Sequence, residues 1–140
     1  PMKNVIIAYS LNPEIIVKEF EQKTPTLKKR IDSINSLQKL GWQIGLRFDP
    51  LINYSKNKLI YKKFFHFIFN KIQVEKIHSV TTGRFRMPNS FFNKLVNIRP
   101  EDSLIFNKLK NEKLLEYQTQ KKECEEELIK FIDYKKLFVN

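Results

Sequence analysis

The feature that most constrains the fold is an alternation of short β-branched runs with segments of helical periodicity. The first run covers residues 4–10, and Pro13 after it favours a helix start. Further runs cover residues 42–49 and 76–82, again with amphipathic segments between them. Strand–helix–strand order with short connections is typical of crossover units and a parallel sheet. The sequence therefore predicts an α/β fold in which about three parallel strands alternate with helices, followed by a C-terminal helix.

Local signals indicate where the helices begin and end. Thr24 as N-cap and Pro25 at the first helical position predict the start of the second helix, and Gly41 predicts its left-handed stop. Further helices are expected at residues 59–68, 91–96 and about 118–136.

Composition excludes several classes of protein. A chain of 140 residues that is 41% hydrophobic fits one domain, or half of a larger one, with a packed core. No apolar run approaches the ~20 residues of a membrane span, and no cleavable signal segment is evident. We therefore expect a soluble, cytoplasmic protein without a membrane partner. The single cysteine, Cys124, excludes an internal disulfide framework and a metal site built from cysteines alone.

The net charge is strongly positive. It is +11, from 26 Lys+Arg against 15 Asp+Glu, and such an excess favours polyanionic partners such as nucleic acid. The lysines are scattered, however, and an AT-biased coding sequence would give the same composition. Charge alone leaves both interpretations open.

Polar side chains at the predicted strand ends are the first candidates for a ligand site, because parallel sheets bind ligands at the carboxyl ends of their strands. Those ends fall at residues 10–12, 48–50 and 81–83. Arg47 and Asp49 alternate with apolar neighbours and therefore share one side of the second strand. Two charges on one face of a buried strand are costly unless they form a salt bridge or line a cavity. Arg47 is accordingly a candidate for a substrate pocket.

Arg84 and Arg86 flank Phe85 just beyond the third strand. A cation–aromatic–cation order suits contact with phosphates and bases of nucleic acid. The alternative is a solvated edge with Phe85 in the core. His66 and His78 have no second ligand at metal-binding spacing, so no metal site is expected at either.

An ordered set of segments resembles the spore photoproduct lyase family of radical S-adenosylmethionine enzymes. The set includes Ser10-Leu11-Asn12 at a strand end and a Gly-rich strand that closes on Asp49-Pro50. The full set comprises residues 8–16, 24–26, 41–52, 79–88 and 113–117. The resemblance covers nearly the whole chain, and its motifs occur in the family's order.

The resemblance implies a (β/α)₆ partial barrel of which this chain is the C-terminal half. Residues 1–83 would supply β/α repeats and residues 84–140 a C-terminal extension. In the family, an upstream Cys-x-x-x-Cys-x-x-Cys loop holds a [4Fe–4S] cluster that binds S-adenosylmethionine, and the radical formed from this cofactor acts on a thymine dimer in DNA. This chain lacks that loop. We therefore expect it to need an N-terminal half, to carry no cofactor alone and to be inactive alone; Pro1 before Met2 favours a chain cut from something longer.

The resemblance also implies roles for individual residues. Ser10 would contact the polar end of the cofactor and Asn12 its ribose or methionyl group, with Asp49 and Pro50 completing the cofactor-binding set. The alternative for Ser10 and Asn12 is a plain strand-exit and helix-capping role. Arg47 and Asp49 stand where the spore enzyme has apolar residues, so the substrate need not be a thymine dimer. The alternative function is a non-enzymatic basic α/β module that binds nucleic acid or a protein partner.

Overall fold

The computed structural model describes residues 1–21, 23–53, 59–102, 107 and 114–139. Within these ranges the strands are β1 (Ile7–Ser10), β2 (Ile44–Phe48), β3 (Ile77–Thr82) and β4 (Leu137–Val139). The α-helices are α1 (Glu14–Phe20), α2 (Leu27–Lys39), α3 (Ile60–Phe69), α4 (Asn89–Ile98) and α5 (Leu114–Leu128). Short 3₁₀ turns occur at Val74–Lys76, Pro100–Asp102 and Tyr134–Lys136. None of the helices in the described ranges has the length and apolar character that crossing a bilayer requires.

The strands form one open sheet in the order β1-β2-β3-β4, with every neighbouring pair parallel. The predicted alternation of parallel strands and helices is confirmed. The prediction of about three strands missed β4, because the last helix ends at Leu128 and not near residue 136. Asp133 then accepts a hydrogen bond from the Lys135 amide at 2.9 Å. It is the N-cap of the 3₁₀ turn that leads into β4. A strand of three residues is too short for its periodicity to show in the sequence.

The start of α2 also differs from the prediction. Thr26, not Thr24, is the N-cap, and its hydroxyl accepts a hydrogen bond from the Lys29 amide at 3.3 Å. Thr24 instead accepts a hydrogen bond from Arg30, so its hydroxyl serves a tertiary contact before the helix begins. The predicted stop is confirmed, since Gly41 has φ +87°.

One face of the sheet carries the hydrophobic core. The ring of Phe48 makes edge contacts with Phe64 and Phe65 of α3, at centroid distances of 5.9 and 4.9 Å. The Tyr9 hydroxyl lies 2.6 Å from the Ser33 hydroxyl of α2. Helix α5 packs against α3 in turn. Helices α2, α3 and α5 therefore cover the same face, and the fully buried side chains on and around it include Phe48, Phe65, Leu11, Ile16, Ile34, Ile44, Leu46 and Ile68.

The opposite face carries small and polar side chains. Register pairs Ser10 with Arg47, Arg47 with Thr81, and Thr81 with Phe138, so these residues form one row across four strands. The next row consists of Ala8, Gly45 and Ser79. Ala8 and Ser10 are exposed and Phe138 is 51% exposed, whereas Gly45, Ser79 and Thr81 between them are buried. We call this surface the open face.

Candidate ligand site at the carboxyl ends of the strands

The carboxyl ends of β1, β2 and β3 bring several of the predicted site residues to one edge of the sheet. Ser10 and Arg47 are register partners at the ends of β1 and β2. Asp49 follows β2 and lies against Gly83, which follows β3. Three neighbouring strand ends thus bring a hydroxyl, a guanidinium and a carboxylate to one edge of the sheet, as a polar ligand site requires.

Arg47 is held by a neighbouring strand. Its Nη1 donates a hydrogen bond to Thr81 Oγ1 at 2.6 Å, and the Thr81 hydroxyl lies 3.3 Å from the Leu46 carbonyl oxygen. Among the described residues Arg47 has no carboxylate within salt-bridge distance, and Asp49 has no cation. The salt-bridge alternative for this pair is therefore wrong within the described part of the chain. Both charges remain available to a ligand.

Asp49 occupies space that only a glycine leaves free. A Cβ added to Gly83 would lie 2.7 Å from Asp49 Oδ2 and 2.8 Å from its Cγ. The Leu51 amide donates a hydrogen bond to the Gly83 carbonyl at 2.8 Å, which ties the two strand ends together. The Asp49–Pro50 peptide bond between these contacts is cis. The absence of a side chain at Gly83 therefore leaves the space that the Asp49 carboxylate occupies.

Asn12 is buried just beyond β1. Its Nδ2 donates a hydrogen bond to Glu21 Oε1 at 3.1 Å, which sets the orientation of the amide. Its Oδ1 is buried and has no partner among the described residues. The contact with Glu21, and not with the first turn of α1, argues against the helix-capping alternative. A buried carbonyl oxygen without a donor is an acceptor that a ligand or water would satisfy.

Arg30 is a residue of this edge that the sequence analysis missed. Its side chain is only 9% exposed, and its Nη1 donates a hydrogen bond to the Ser10 carbonyl at 2.9 Å. Its Nη2 contacts Glu21 Oε2 at 2.5 Å and Thr24 Oγ1 at 2.9 Å. Arg30 thereby connects α2 to the end of β1 and to the carboxylate that holds Asn12. The available signal was its position beside Ile31 and Ile34, on the inward side of the helix.

Arg84 and Arg86 follow the carboxyl end of β3, in the segment between β3 and α4. Both are exposed, and Phe85 between them is partly buried. Neither arginine forms a salt bridge within the described ranges. Contact of this segment with nucleic acid stays a prediction.

The chain does not fit an iron–sulfur cluster. Cys124 is its single cysteine, and burial, with added repulsion from Glu123 and Glu125, raises the pKa of the thiol to about 12. A [4Fe–4S] cluster takes several thiolate ligands, and this chain offers one buried, protonated thiol. No group of His, Cys, Asp and Glu in the described ranges could hold a metal ion. His66 instead places Nε2 2.8 Å from Glu127 Oε1, and His78 is exposed on its strand.

A groove of about 780 Å³ lies elsewhere, between α3 and α5. Tyr61 and Phe65 line it on one side and Cys124 and Glu127 on the other. None of the site residues predicted from the sequence lines it. The groove and the strand-end site are therefore separate features.

Comparison with known proteins identifies the family. The family model described as "Spore photoproduct lyase" matches residues 2–126. No curated protein and no solved structure gives a significant match. Of the segments that carried the resemblance, residues 113–117 begin at Lys113, which lies outside the described residues. Because the match covers all but the two ends of the sequence, the chain belongs to the spore photoproduct lyase family.

Proposed function

We propose that the chain is the C-terminal half of a radical S-adenosylmethionine protein, contributing to cofactor and DNA binding. The observation that carries this proposal is the family match together with the open face at the strand ends. The activity would be that of a DNA-repair lyase. Its substrate need not be a thymine dimer, because Arg47 and Asp49 stand where the spore enzyme has apolar residues.

The exposed side chains of the open face support the proposal that an N-terminal half covers this face. Parallel sheets normally have both faces covered, whereas here Ile6, Ala8, Ser10 and Phe138 are exposed. The outer edge of β1 pairs with no strand in the described ranges. An N-terminal half that extends the sheet beyond β1 and covers the open face would turn the four parallel strands into part of a partial barrel.

The proposed cofactor residues are Ser10, Asn12, Asp49 and Pro50. The exposed Ser10 hydroxyl and the unpartnered Asn12 Oδ1 supply a donor and an acceptor at one strand end. Asp49 supplies a second acceptor at the next strand end, beside Pro50. S-adenosylmethionine, with its ribose hydroxyls and amino group, has the complementary groups, and it would supply the radical chemistry when bound to a cluster.

The N-terminal half would provide that cluster, since Cys124 is unsuited to hold it. Arg84 and Arg86 would contribute electrostatic contact with the DNA backbone. Each such contact releases counterions and so makes binding dependent on salt.

The test is anaerobic co-expression of this chain with the coding region immediately upstream of it. We expect ~4 iron per complex, as a single [4Fe–4S] cluster provides, and 5′-deoxyadenosine after reduction with dithionite. A complex without iron and without cofactor cleavage would contradict the proposal.

A variant tests the assigned cofactor site. Asn12→Ala removes the unpartnered acceptor, and we expect the half-saturating S-adenosylmethionine concentration to rise about 3–10-fold, the value of one hydrogen bond. Asn35→Ala, on α2, is the matched control and should leave that concentration unchanged. Equal effects of the two variants would remove Asn12 from the site.

The net charge of +11 favours a second candidate, a non-enzymatic basic module that binds nucleic acid. Such a module should bind DNA without an upstream partner and with a steep salt dependence. Phosphate engagement gives a slope of about −0.9 per contact in a plot of log affinity against log salt. A slope magnitude below about 2 for this chain would count against the module.

A further inference from the structure

Arg47 has an unusual environment for an arginine. Its strand neighbours Leu46 and Phe48 are fully buried on the helix-covered face, while its own side chain lies on the open face and is partly buried. Its hydrogen bond to the Thr81 hydroxyl satisfies one N–H group but does not neutralise the positive charge of the guanidinium. A guanidinium partly removed from water, without an acidic partner in the described ranges, is stabilised when an anion binds it.

The surroundings of Arg47 leave room for such an anion. The row beside it consists of Ala8, Gly45 and Ser79, and a Cβ at Gly45 would already lie 3.3 Å from the Ala8 Cβ. Gly45 and Ser79 are themselves buried, so an anion would approach Arg47 from the side of the exposed Ala8 and Ser10. Thr81 fixes the guanidinium from one side, so that less side-chain entropy is lost when a ligand binds.

We propose that Arg47 binds an oxyanion on the open face, with Thr81 as its positioning residue. The planar guanidinium fork matches two oxygens of a phosphate or a carboxylate. Asp49, two residues further along the same side, would repel a second anion and accept hydrogen bonds from neutral or cationic groups. The ligand is therefore one that carries an oxyanion beside a hydrogen-bond donor.

Two sources of the oxyanion follow from the proposed function, on which this inference rests. A phosphodiester of DNA could reach Arg47 from the side of Arg84 and Arg86. The carboxylate of S-adenosylmethionine could reach it from Ser10, its register partner. In both cases an oxyanion of the ligand binds the guanidinium of Arg47.

The experiment follows the backbone amide signals of residues 45–49 by NMR in the 140-residue chain during titration with paired ligands, a readout that a variant at residue 47 retains. The first pair is the dinucleotide TpT and thymidine, which lacks the phosphate. The second pair is S-adenosylmethionine and its decarboxylated form, which lacks only the carboxylate. We expect the member that carries the oxyanion in at least one pair to bind about tenfold more tightly, as a charge-assisted hydrogen bond provides. The pair that shows this preference identifies the source.

Variants distinguish recognition of the oxyanion by Arg47 from a general effect of the chain's positive charge. Arg47→Gln should abolish the preference within a pair, and Lys28→Gln, an equal change of charge on the exposed surface of α2, should retain it. Thr81→Val keeps the charge but frees the guanidinium, and it should reduce the preference about threefold, the value of a weak hydrogen bond. Thr81→Val decides the question if Arg47→Gln does not fold.

The inference is overturned if neither pair shows a preference, or if Arg47→Gln keeps it. Neither result bears on iron content or deoxyadenosine formation in the co-expressed complex. Failure of the inference and failure of the proposed function are therefore distinguishable.

Discussion

The two faces of the sheet differ in what their side chains do. On the helix-covered face, Phe48 is fully buried against two aromatic rings of α3. On the open face, Arg47, the next residue along the same strand, contacts a hydroxyl and has no acidic partner in the described ranges. One strand therefore supplies the core with one side chain and a polar surface with the next.

The difference indicates which substitutions should change the stability of the fold and which should change ligand binding. Substitutions on the helix-covered face should reduce the free energy of unfolding, because they remove buried apolar contacts. Substitutions on the open face should alter ligand binding and leave stability nearly unchanged. The predictions below test that division, from the largest expected effect to the smallest.

Phe48→Ala should produce the largest loss. Removing a fully buried ring costs about 3–5 kcal/mol of unfolding free energy through lost transfer energy and a residual cavity. Urea denaturation followed by circular dichroism measures it. Phe138→Ala, a ring of the open face that is 51% exposed, is the matched control and should cost less than about 1 kcal/mol. Equal losses would mean that the open face is part of the core.

Arg30→Leu tests how the helix-covered side supports the open edge. It leaves the Ser10 carbonyl without the Arg30 donor and the Glu21 carboxylate without its cationic partner, at a cost of about 2–3 kcal/mol. Chemical denaturation measures the loss, and amide exchange at Leu11 should accelerate with it. Lys29→Leu, at an exposed position of the same helix, should change stability by less than about 0.5 kcal/mol.

Gly83→Ala should cost about 1–3 kcal/mol, because the added Cβ overlaps the Asp49 carboxylate. Thermal denaturation of the single variants and of Gly83→Ala/Asp49→Ala forms a double-mutant cycle. Removing the carboxylate should restore most of the loss in the double variant. Additive losses would show that the clash lies with the backbone and not with Asp49.

Replacing Glu127 should have the smallest effect on the free energy of unfolding, and that effect should be confined to acid pH. Hydrogen bonds donated by Lys130 and by His66 hold the pKa of Glu127 below its ordinary 4.5 against the opposing effect of burial. A lowered folded-state pKa stabilises the fold above pH 4.5, and the contribution is lost as pH falls through that lowered value. Glu127→Gln should therefore lose less stability on acidification than the native chain.

Denaturation series across this pH range measure the effect of Glu127. Glu126→Gln, an exposed neighbour without a salt bridge in the described ranges, is the control and should follow the native curve. A Glu127→Gln variant with the native acid dependence would contradict the assignment.

Periodicity predicted the parallel sheet and the helices between its strands, because those elements are long enough to repeat their pattern. It failed at β4, where Leu137–Val139 offers only three residues. It also placed the N-cap of α2 at Thr24, whose hydroxyl is used by Arg30 six residues later. Tertiary contacts decided both positions, and a local pattern contains no information about them.

The sequence predicted that the candidate site residues meet at one edge of the sheet, but it did not predict their contacts. The strand-end rule correctly brought Ser10, Arg47 and Asp49 to one edge. The bond from Arg47 to Thr81 spans 34 residues and depends on strand register, which the sequence does not specify. Arg30 remained unnoticed, because an arginine within an apolar stripe looks like an interruption until its partners are known.

The buried thiol of Cys124 also makes the molecule convenient to label. With a pKa of about 12, it stays protonated at neutral pH and should resist maleimide reagents while the fold is intact. A cysteine introduced at Phe138 would then be the one reactive thiol of the chain. A fluorophore or spin label on that thiol would report directly on whatever docks against the open face, without any need to remove the native cysteine.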